Sequence, residues 1–333
     1  LTTLTPAHRP DWQAELADSF TRPEDLLAFL QLPHGALDEA HRAATRFPFR
    51  VTRYYASRMR KGDPADPLLR QVLPVREELL ESPGFLADPV GDLRALTAPG
   101  LLHKYRGRAL LVTTGACAIH CRYCFRREFP YHEAQWSRRR EAEALAYLAS
   151  DASIAEVILS GGDPLSLSDG RLTALLHALA SIDHLQRLRI HTRLPLVLPS
   201  RVTPELAVLL RATRWKVVLV IHANHARELG DEVGSALAAL RKEGVMLLNQ
   251  SVLLRGVNDD MSVLAELSLR LFELGVLPYY LHTLDKARGT AHFDLPRAKA
   301  QALHERLRGS LPGYLVPRLV NEEAGKPYKT WHI

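Results

Sequence analysis

From residue 109 onward the chain alternates between short aliphatic runs and helical patterns. This alternation constrains the fold more than any other feature. The runs cover 109–114, 155–160, 187–193, 216–221, 245–253 and 278–283; the helical patterns cover 137–150, 168–182, 204–211, 229–243, 261–274 and 296–308. A helix between two strands makes them parallel neighbours. Strands that are apolar along most of their length are expected where both faces are covered. Six such units fall short of a closed eight-stranded barrel. The predicted fold is α/β, a partial (β/α)6 barrel over residues 101–310, with its chemistry at the C-terminal ends of the strands.

The first hundred residues read differently. Apolar residues recur at helical spacing over 14–20, 22–32 and 41–59. Thr21, with Glu24 three residues on, has the form of a capping box. Prolines at 33, 48, 64 and 67 punctuate the stretch, and no strand alternation stands out. Residues 1–100 are predicted to be a helical N-terminal extension, 61–67 a connecting loop, and 311–333 a C-terminal segment following the barrel. No apolar run approaches the ~20 residues that cross a bilayer, and the N-terminus lacks a basic region followed by an apolar core. The formal net charge of +6 is mild for 333 residues and comes mainly from arginine. Without a nucleic-acid-binding motif it reads as solvated surface. Neither a membrane nor nucleic acid is expected as a partner.

All three cysteines fall within eight residues, Cys117-Ala-Ile-His-Cys121-Arg-Tyr-Cys124, directly after the first barrel run. None is spare for a disulfide, which fits a reducing cytoplasm. Three thiolates at spacings of four and three can share one metal centre. Structural zinc normally takes four protein ligands. His120 is the donor at hand, but its place beside Cys121 gives it a poor angle for the same tetrahedron. A four-iron cluster has four corners, so three cysteines leave one iron free to hold a small molecule. The second run ends in Leu159-Ser-Gly-Gly-Asp-Pro164, where glycines let the backbone approach a ligand closely. Ahead of the first run, His103-Lys-Tyr-Arg-Gly-Arg108 combines cations, a histidine and a tyrosine, which suits a phosphate or bulk solvent equally.

The Cys-x3-Cys-x2-Cys spacing, with Tyr123 before the last cysteine, resembles the signature of the radical S-adenosylmethionine (SAM) enzymes. Cys124-Phe-Arg-Arg-Glu-Phe-Pro-Tyr131, Ser160-Gly-Gly-Asp163, Leu253-Leu-Arg-Gly-Val-Asn-Asp259, Pro278-Tyr-Tyr280 and His292-Phe293 together resemble the lysine 2,3-aminomutase family. Residues 281–293 are similar to the branch that makes (R)-β-lysine for elongation factor P. The chain also stops at Ile333, without the cysteine-bearing C-terminal extension of the free-standing enzymes. The resemblance implies a radical SAM barrel and a [4Fe-4S] cluster on Cys117, Cys121 and Cys124, with SAM on its free iron. It also implies pyridoxal 5′-phosphate (PLP), L-lysine as substrate, a flavodoxin- or ferredoxin-type electron donor, and a functional link to elongation factor P and its lysyl ligase.

By the same resemblance, Tyr123 lies near the adenine of SAM. Gly161, Gly162 and Asp163 bind its amino group, and His222 and Gln250 contact it. Lys329 carries PLP, with Lys326 as its rival. Lys104, Tyr105 and Arg108 hold the PLP phosphate, Lys104 standing where the family commonly has arginine. Arg126 pairs with the substrate carboxylate. Asp285 and Glu322 receive its far ammonium, Glu322 standing where the family has aspartate. Arg193 and Arg201 are further phosphate or carboxylate candidates, set against a reading as surface charge. His282 and Asp294 read as ordinary hydrogen-bonding groups. The alternatives are a free-standing catabolic lysine aminomutase, a glutamate-type mutase, and, from another class, a PLP-independent radical SAM enzyme acting on nucleic acid.

Overall fold

A computed structural model describes residues 11–33, 37–131 and 138–332. The N-terminal part contains short helices: α1 (Trp12–Ala17), α2 (Pro23–Phe29), α3 (Leu37–Arg46), α4 (Arg53–Ser57) and α5 (Pro67–Arg70). The helical pattern over 41–59 does not form one helix. Pro48 has no N–H to give to the ladder and its ring crowds the preceding turn, so the chain straightens between α3 and α4, where Val51 bridges to Phe20. The capping box at Thr21 also fails to form. The residue before α2 is Arg22, which caps nothing, and Glu24 instead pairs with Arg22 and His41. At α5, Asp66 accepts from the N–H groups of Leu68 and Leu69 at 2.8 and 3.1 Å, an N-cap that ends the 61–67 loop.

Each of the six aliphatic runs becomes a strand. They are preceded by two strands that the sequence did not announce, β1 (Leu96–Ala98) and β2 (Leu101–Tyr105). The six are β3 (Arg108–Thr114), β4 (Glu156–Gly161), β5 (Arg187–Thr192), β6 (Val217–Ile221), β7 (Met246–Val252) and β8 (Leu277–His282). The intervening helices are α6 (Arg138–Ser150), α7 (Asp169–Ala180), α8 (Leu194–Val197), α9 (Pro204–Arg211), α10 (Asp231–Lys242) and α11 (Met261–Glu273). After β8 come α12 (Arg297–Ser310), β9 (Arg318–Asn321) and β10 (Thr330–Trp331). All these strands join one sheet in chain order. β3 through β9 are parallel, while β1–β2–β3 and β9–β10 pair antiparallel. The fold is the mixed α/β, partial-barrel arrangement expected of a radical SAM enzyme.

The two faces of the sheet differ. Leu188, Ile190 and Thr192 of β5 and Leu247, Asn249 and Ser251 of β7 are buried, while the residues between them, Arg189, His191, Leu248 and Gln250, are half-buried. The buried set packs with the helices in the main apolar core, for example Leu172, Leu176, Leu210 and Leu237 against Leu188, Ile190 and Leu219. The alternate set lines the hollow side. Expecting both faces to be dry therefore holds for one face only. An open barrel leaves a lumen that polar side chains occupy.

The outer edges of the sheet meet through side chains. Lys104 on β2 lies 2.7 Å from Glu322, the residue after β9, and a Cβ on Gly91 would touch Ala324 Cβ at 3.0 Å. The segment that leads into β1 thus spans the open side of the barrel, with Leu86 bridging to Ala287. Among the described residues, no helix is long and apolar enough to cross a membrane.

Candidate active site

β3 runs straight into the cysteine loop, and buried arginines fix that loop from outside. The Arg122 side chain is fully buried. Its guanidinium donates to both Glu78 carboxylate oxygens at 2.8 and 2.5 Å, and to the carbonyls of Ala43, Phe47 and Pro48. Arg127 reaches the same Glu78 at 2.6 Å. From the barrel side, Arg193 Nη1 lies 2.7 Å from Cys121 Sγ, and its Nη2 donates to Tyr55, Gln71 and Glu228 at 3.0, 2.7 and 2.8 Å. Arg193 and Arg201 are both buried, which corrects the reading as surface charge. Arg201 donates to the carbonyls of Leu165 and Leu167 and pairs with Asp169 at 2.8 Å, so it shapes the turn after β4.

The glycines after β4 serve that packing. Gly161 has φ +120°, and a Cβ on Gly162 would sit 2.3 Å from the Ala116 carbonyl. Gly162 N–H donates to Thr114 O and Asp163 N–H to Ala116 O, at 2.7 and 2.8 Å. The close approach expected of these glycines is made by the neighbouring cysteine loop. Asp163 is buried, and burial raises its carboxyl to about 6 against hydrogen bonds from Thr192, Arg193, Leu165 and Leu194. Its oxygens are thus already engaged by the chain. Tyr123 packs edge-on against Phe293 and accepts from Asn224 Nδ2 at 2.7 Å. His222 and Gln250 touch each other at 2.9 Å. Burial, aided by Arg193 and Arg126, lowers the His222 pKa to about 3, so the neutral ring accepts from the Gln250 amide.

The remaining candidates form a chain of alternating charge across the barrel mouth. Arg126 Nε lies 2.5 Å from Asp92 Oδ2, and Asp92 Oδ1 lies 2.5 Å from Lys104 Nζ. Lys104 Nζ is 2.7 Å from Glu322 Oε1, and Glu322 Oε2 is 2.5 Å from Lys329 Nζ. Burial would raise Glu322, but Lys329 and Lys104 overcome it and hold the carboxyl well below the usual range. Asp285 follows β8, and its carboxylate has no hydrogen bond or ion pair among the described residues. Burial, helped by the charge of Glu322, lifts it to about 7. Tyr105 carries the Arg108 guanidinium 4.5 Å from its ring centroid, and burial followed by Glu322 pushes its phenol up. Lys326 is exposed and stands outside this chain. His282 is buried near Lys329, whereas Asp294 pairs at the surface with Lys286 at 3.6 Å.

Two observations test whether these residues suit the implied groups. The hydroxyl of Tyr105 and Nε2 of His191 and His282 are buried without a hydrogen-bond partner among the described residues, and the Asp285 carboxylate is likewise unpaired there. Such a mouth suits a polar, charged ligand. Among the described residues, no three His, Cys, Asp or Glu side chains converge on a single metal ion. A cluster spreads its three thiolates over three irons, so it does not need that convergence. Burial raises the Cys117 thiol and lifts Cys124 to about 11. A shared positive centre is what would draw those protons off.

The Radical SAM superfamily profile matches residues 111–267. The L-lysine 2,3-aminomutase of Escherichia coli (strain K12) is 47% identical over 99% of this chain and 96% of its own length. That of Buchnera aphidicola subsp. Baizongia pistaciae is 43% identical over 97% and 96%. That of Clostridium subterminale is 36% identical over 96% of this chain and 77% of its own. This chain belongs to the L-lysine 2,3-aminomutase family. As a radical SAM aminomutase it is an isomerase, and the family implies a [4Fe-4S] cluster and SAM.

Sequence reading missed several residues of this aminomutase-family site. Asp92 joins Arg126 to Lys104. Glu78 and Glu228 neutralise the arginines around the cysteine loop. Gln71 and Asn224 hold Tyr123 and Arg193. The one local signal was charge arithmetic. Buried arginines require buried carboxylates, and Glu78 and Glu228 are both buried.

Proposed function

We propose that this enzyme converts L-lysine to (R)-β-lysine with the help of PLP, and that the product is destined for elongation factor P. One observation carries the reading. A guanidinium, Arg126, stands at one end of a charged mouth. Two carboxylates, Asp285 and Glu322, stand at the other beside Lys329, in a chain 47% identical to an L-lysine 2,3-aminomutase. Lysine has a carboxylate at one end and an ammonium at the other, and this distribution complements it. A glutamate-type mutase would gain nothing from two carboxylates at the far end.

In this reading Lys329 would hold PLP, and Lys104, Tyr105 and Arg108 would hold its phosphate. Cys117, Cys121 and Cys124 hold the cluster. Tyr123, His222 and Gln250 would flank SAM, with Gly161, Gly162 and Asp163 shaping the backbone beside it, since the Asp163 oxygens are already engaged by the chain. When bound, SAM supplies the radical that lifts a hydrogen atom from carbon 3, and PLP supplies the π-system that lets nitrogen migrate. The chain's own contribution is positional. Arg126 takes the carboxylate through its planar fork. Asp285 and Glu322 take the ε-ammonium and stretch the substrate, so that carbon 3 alone meets the reactive centre. Overall the amino group moves from carbon 2 to carbon 3 and one hydrogen moves the other way, with no net oxidation. The destination is supported by the likeness of residues 281–293 to the elongation factor P branch.

The test is anaerobic incubation with L-lysine, SAM, PLP and a chemical reductant, followed by chiral analysis. The expected product is (R)-β-lysine. Absence of β-lysine from protein with an intact cluster would overturn the activity, and the S enantiomer would move the enzyme to the catabolic branch.

A further inference from the structure

Residues 40–62 contain seven Arg or Lys and no Asp or Glu, whereas the whole 333-residue chain has a formal net charge of +6. The excess positive charge of the protein is thus concentrated in one segment, and the rest is close to neutral. Part of this charge is satisfied locally. Arg53 pairs with Asp18 at 3.3 Å and Arg60 with Asp63 at 3.8 Å, Arg58 donates to the Arg227 carbonyl, and Lys61 lies over the Phe29 ring. Arg42, Arg46 and Arg50 have no acidic partner among the described residues. Arg42 and Arg46 stand one turn apart on α3 and are exposed, and Arg50 follows them half-buried.

This stripe lies against the cysteine loop. The carbonyls of Ala43, Phe47 and Pro48 accept from Arg122, the residue after Cys121. The Arg50 carbonyl accepts from His120 N–H at 3.0 Å, and the rings of Phe47 and His120 stand 5.5 Å apart. Within residues 40–62 the charge is clustered and interrupted by no acidic residue, with Asp38 and Glu39 preceding it on the same helix, and it lies beside the group that must receive an electron from outside. Clustered charge of one sign steers a partner of the other sign and raises its association rate. Electron-transfer encounters use small, transient interfaces of this kind.

We propose that segment 40–62 is the docking surface for an acidic one-electron carrier protein, seated on Arg42, Arg46 and Arg50 beside the cysteine loop. The proposal rests on the reading that Cys117, Cys121 and Cys124 hold a [4Fe-4S] cluster. One electron leaves the reduced carrier and takes the cluster from its 2+ to its 1+ state. The carrier is oxidised by one electron, and no bond forms or breaks.

The experiment uses cluster-loaded enzyme, flavodoxin hydroquinone as the probe and anaerobic stopped-flow absorbance of the cluster. Wild type is compared with R42E/R46E/R50E and with R297E/R306E/R308E on α12, which makes the same change in net charge elsewhere. The expected result is a second-order rate at least about tenfold lower in the first variant at low salt, with a flattened salt dependence. The α12 variant should stay near wild type, and dithionite should drive β-lysine formation equally in all three. An unchanged rate and salt slope in R42E/R46E/R50E, or an equal fall in the α12 variant, would overturn the docking surface. If dithionite yields no β-lysine in wild type, the functional reading fails while the reduction rates still judge the docking. Should the triple variant not load its cluster, R42E and R46E singly give the same comparison, each expected to slow flavodoxin and overturned by a wild-type rate.

Discussion

The two ends of the candidate site are built on different principles. At the cysteine end, Arg122, Arg127, Arg193 and Asp163 are each held by several partners, and glycines allow backbone to touch backbone. At the lysine end, Asp92, Lys104, Glu322 and Lys329 are joined in a row of ion pairs, and the Asp285 carboxylate has no partner among the described residues. The first arrangement is over-determined and suits a cofactor that must not move. The second is a row of exchangeable ion pairs, and it suits ligands that arrive with charges of their own and take a place in the row.

Breaking either end should expose this contrast. The largest effect is expected from Lys329→Ala: β-lysine formation falls below detection while iron content and SAM binding stay at wild-type levels, as read by metal analysis and titration. Arg122→Ala should act on the fold instead. Removing one member of a buried ion pair costs about 3–5 kcal/mol, visible as a lower denaturation midpoint together with reduced cluster loading. The lysine end should respond to pH. Asp285, lifted to about 7 by burial and Glu322, is neutral below that pH and charged above it, and only the charged form pairs with an ammonium. The kcat/KM for lysine should therefore fall about tenfold per unit below pH 7 and level off above it, and Asp285→Asn should remove that limb. Asp92→Asn should raise the KM for lysine by about tenfold, because Arg126 loses a charge-assisted bond, while the iron content is unaffected. Lys326→Ala should leave every one of these readouts within about twofold.

The barrel was legible because its signal is repeated. Six apolar runs separated by helical patterns fell within two residues of the observed strands. The flanking strands escaped because they are short, down to two residues in β10, and take their identity from a neighbour rather than from a pattern. Pro48 announced the break between α3 and α4, but the apolar spacing on both sides masked it. The cysteines and glycines were legible as motifs. The partners that hold them were not, because Arg193 meets Gln71 and Glu228 only after folding, at separations of 122 and 35 residues. Arginine composition argued for exposure, and only the fold brings the carboxylates that make burial tolerable.

The side-chain clasp between the sheet edges bears on how the protein is made. Strand order in space follows strand order in the chain, so the sheet can grow one strand at a time during synthesis. Lys104, however, must wait for Glu322, which follows 218 residues later. The cysteine loop and its arginine supports are complete before Lys329 has been translated. For that interval the growing chain has its three cysteines and their supports but neither Lys329, the lysine proposed to hold PLP, nor its Glu322 partner. Proteolytic trimming behind β9 would restore the same condition in a finished molecule. In both cases the clasp is the last part to form: until residues 322–329 arrive, Lys104 has Asp92 but not Glu322 as an acidic partner, and the mouth holds only one of the two carboxylates proposed to receive the substrate ammonium.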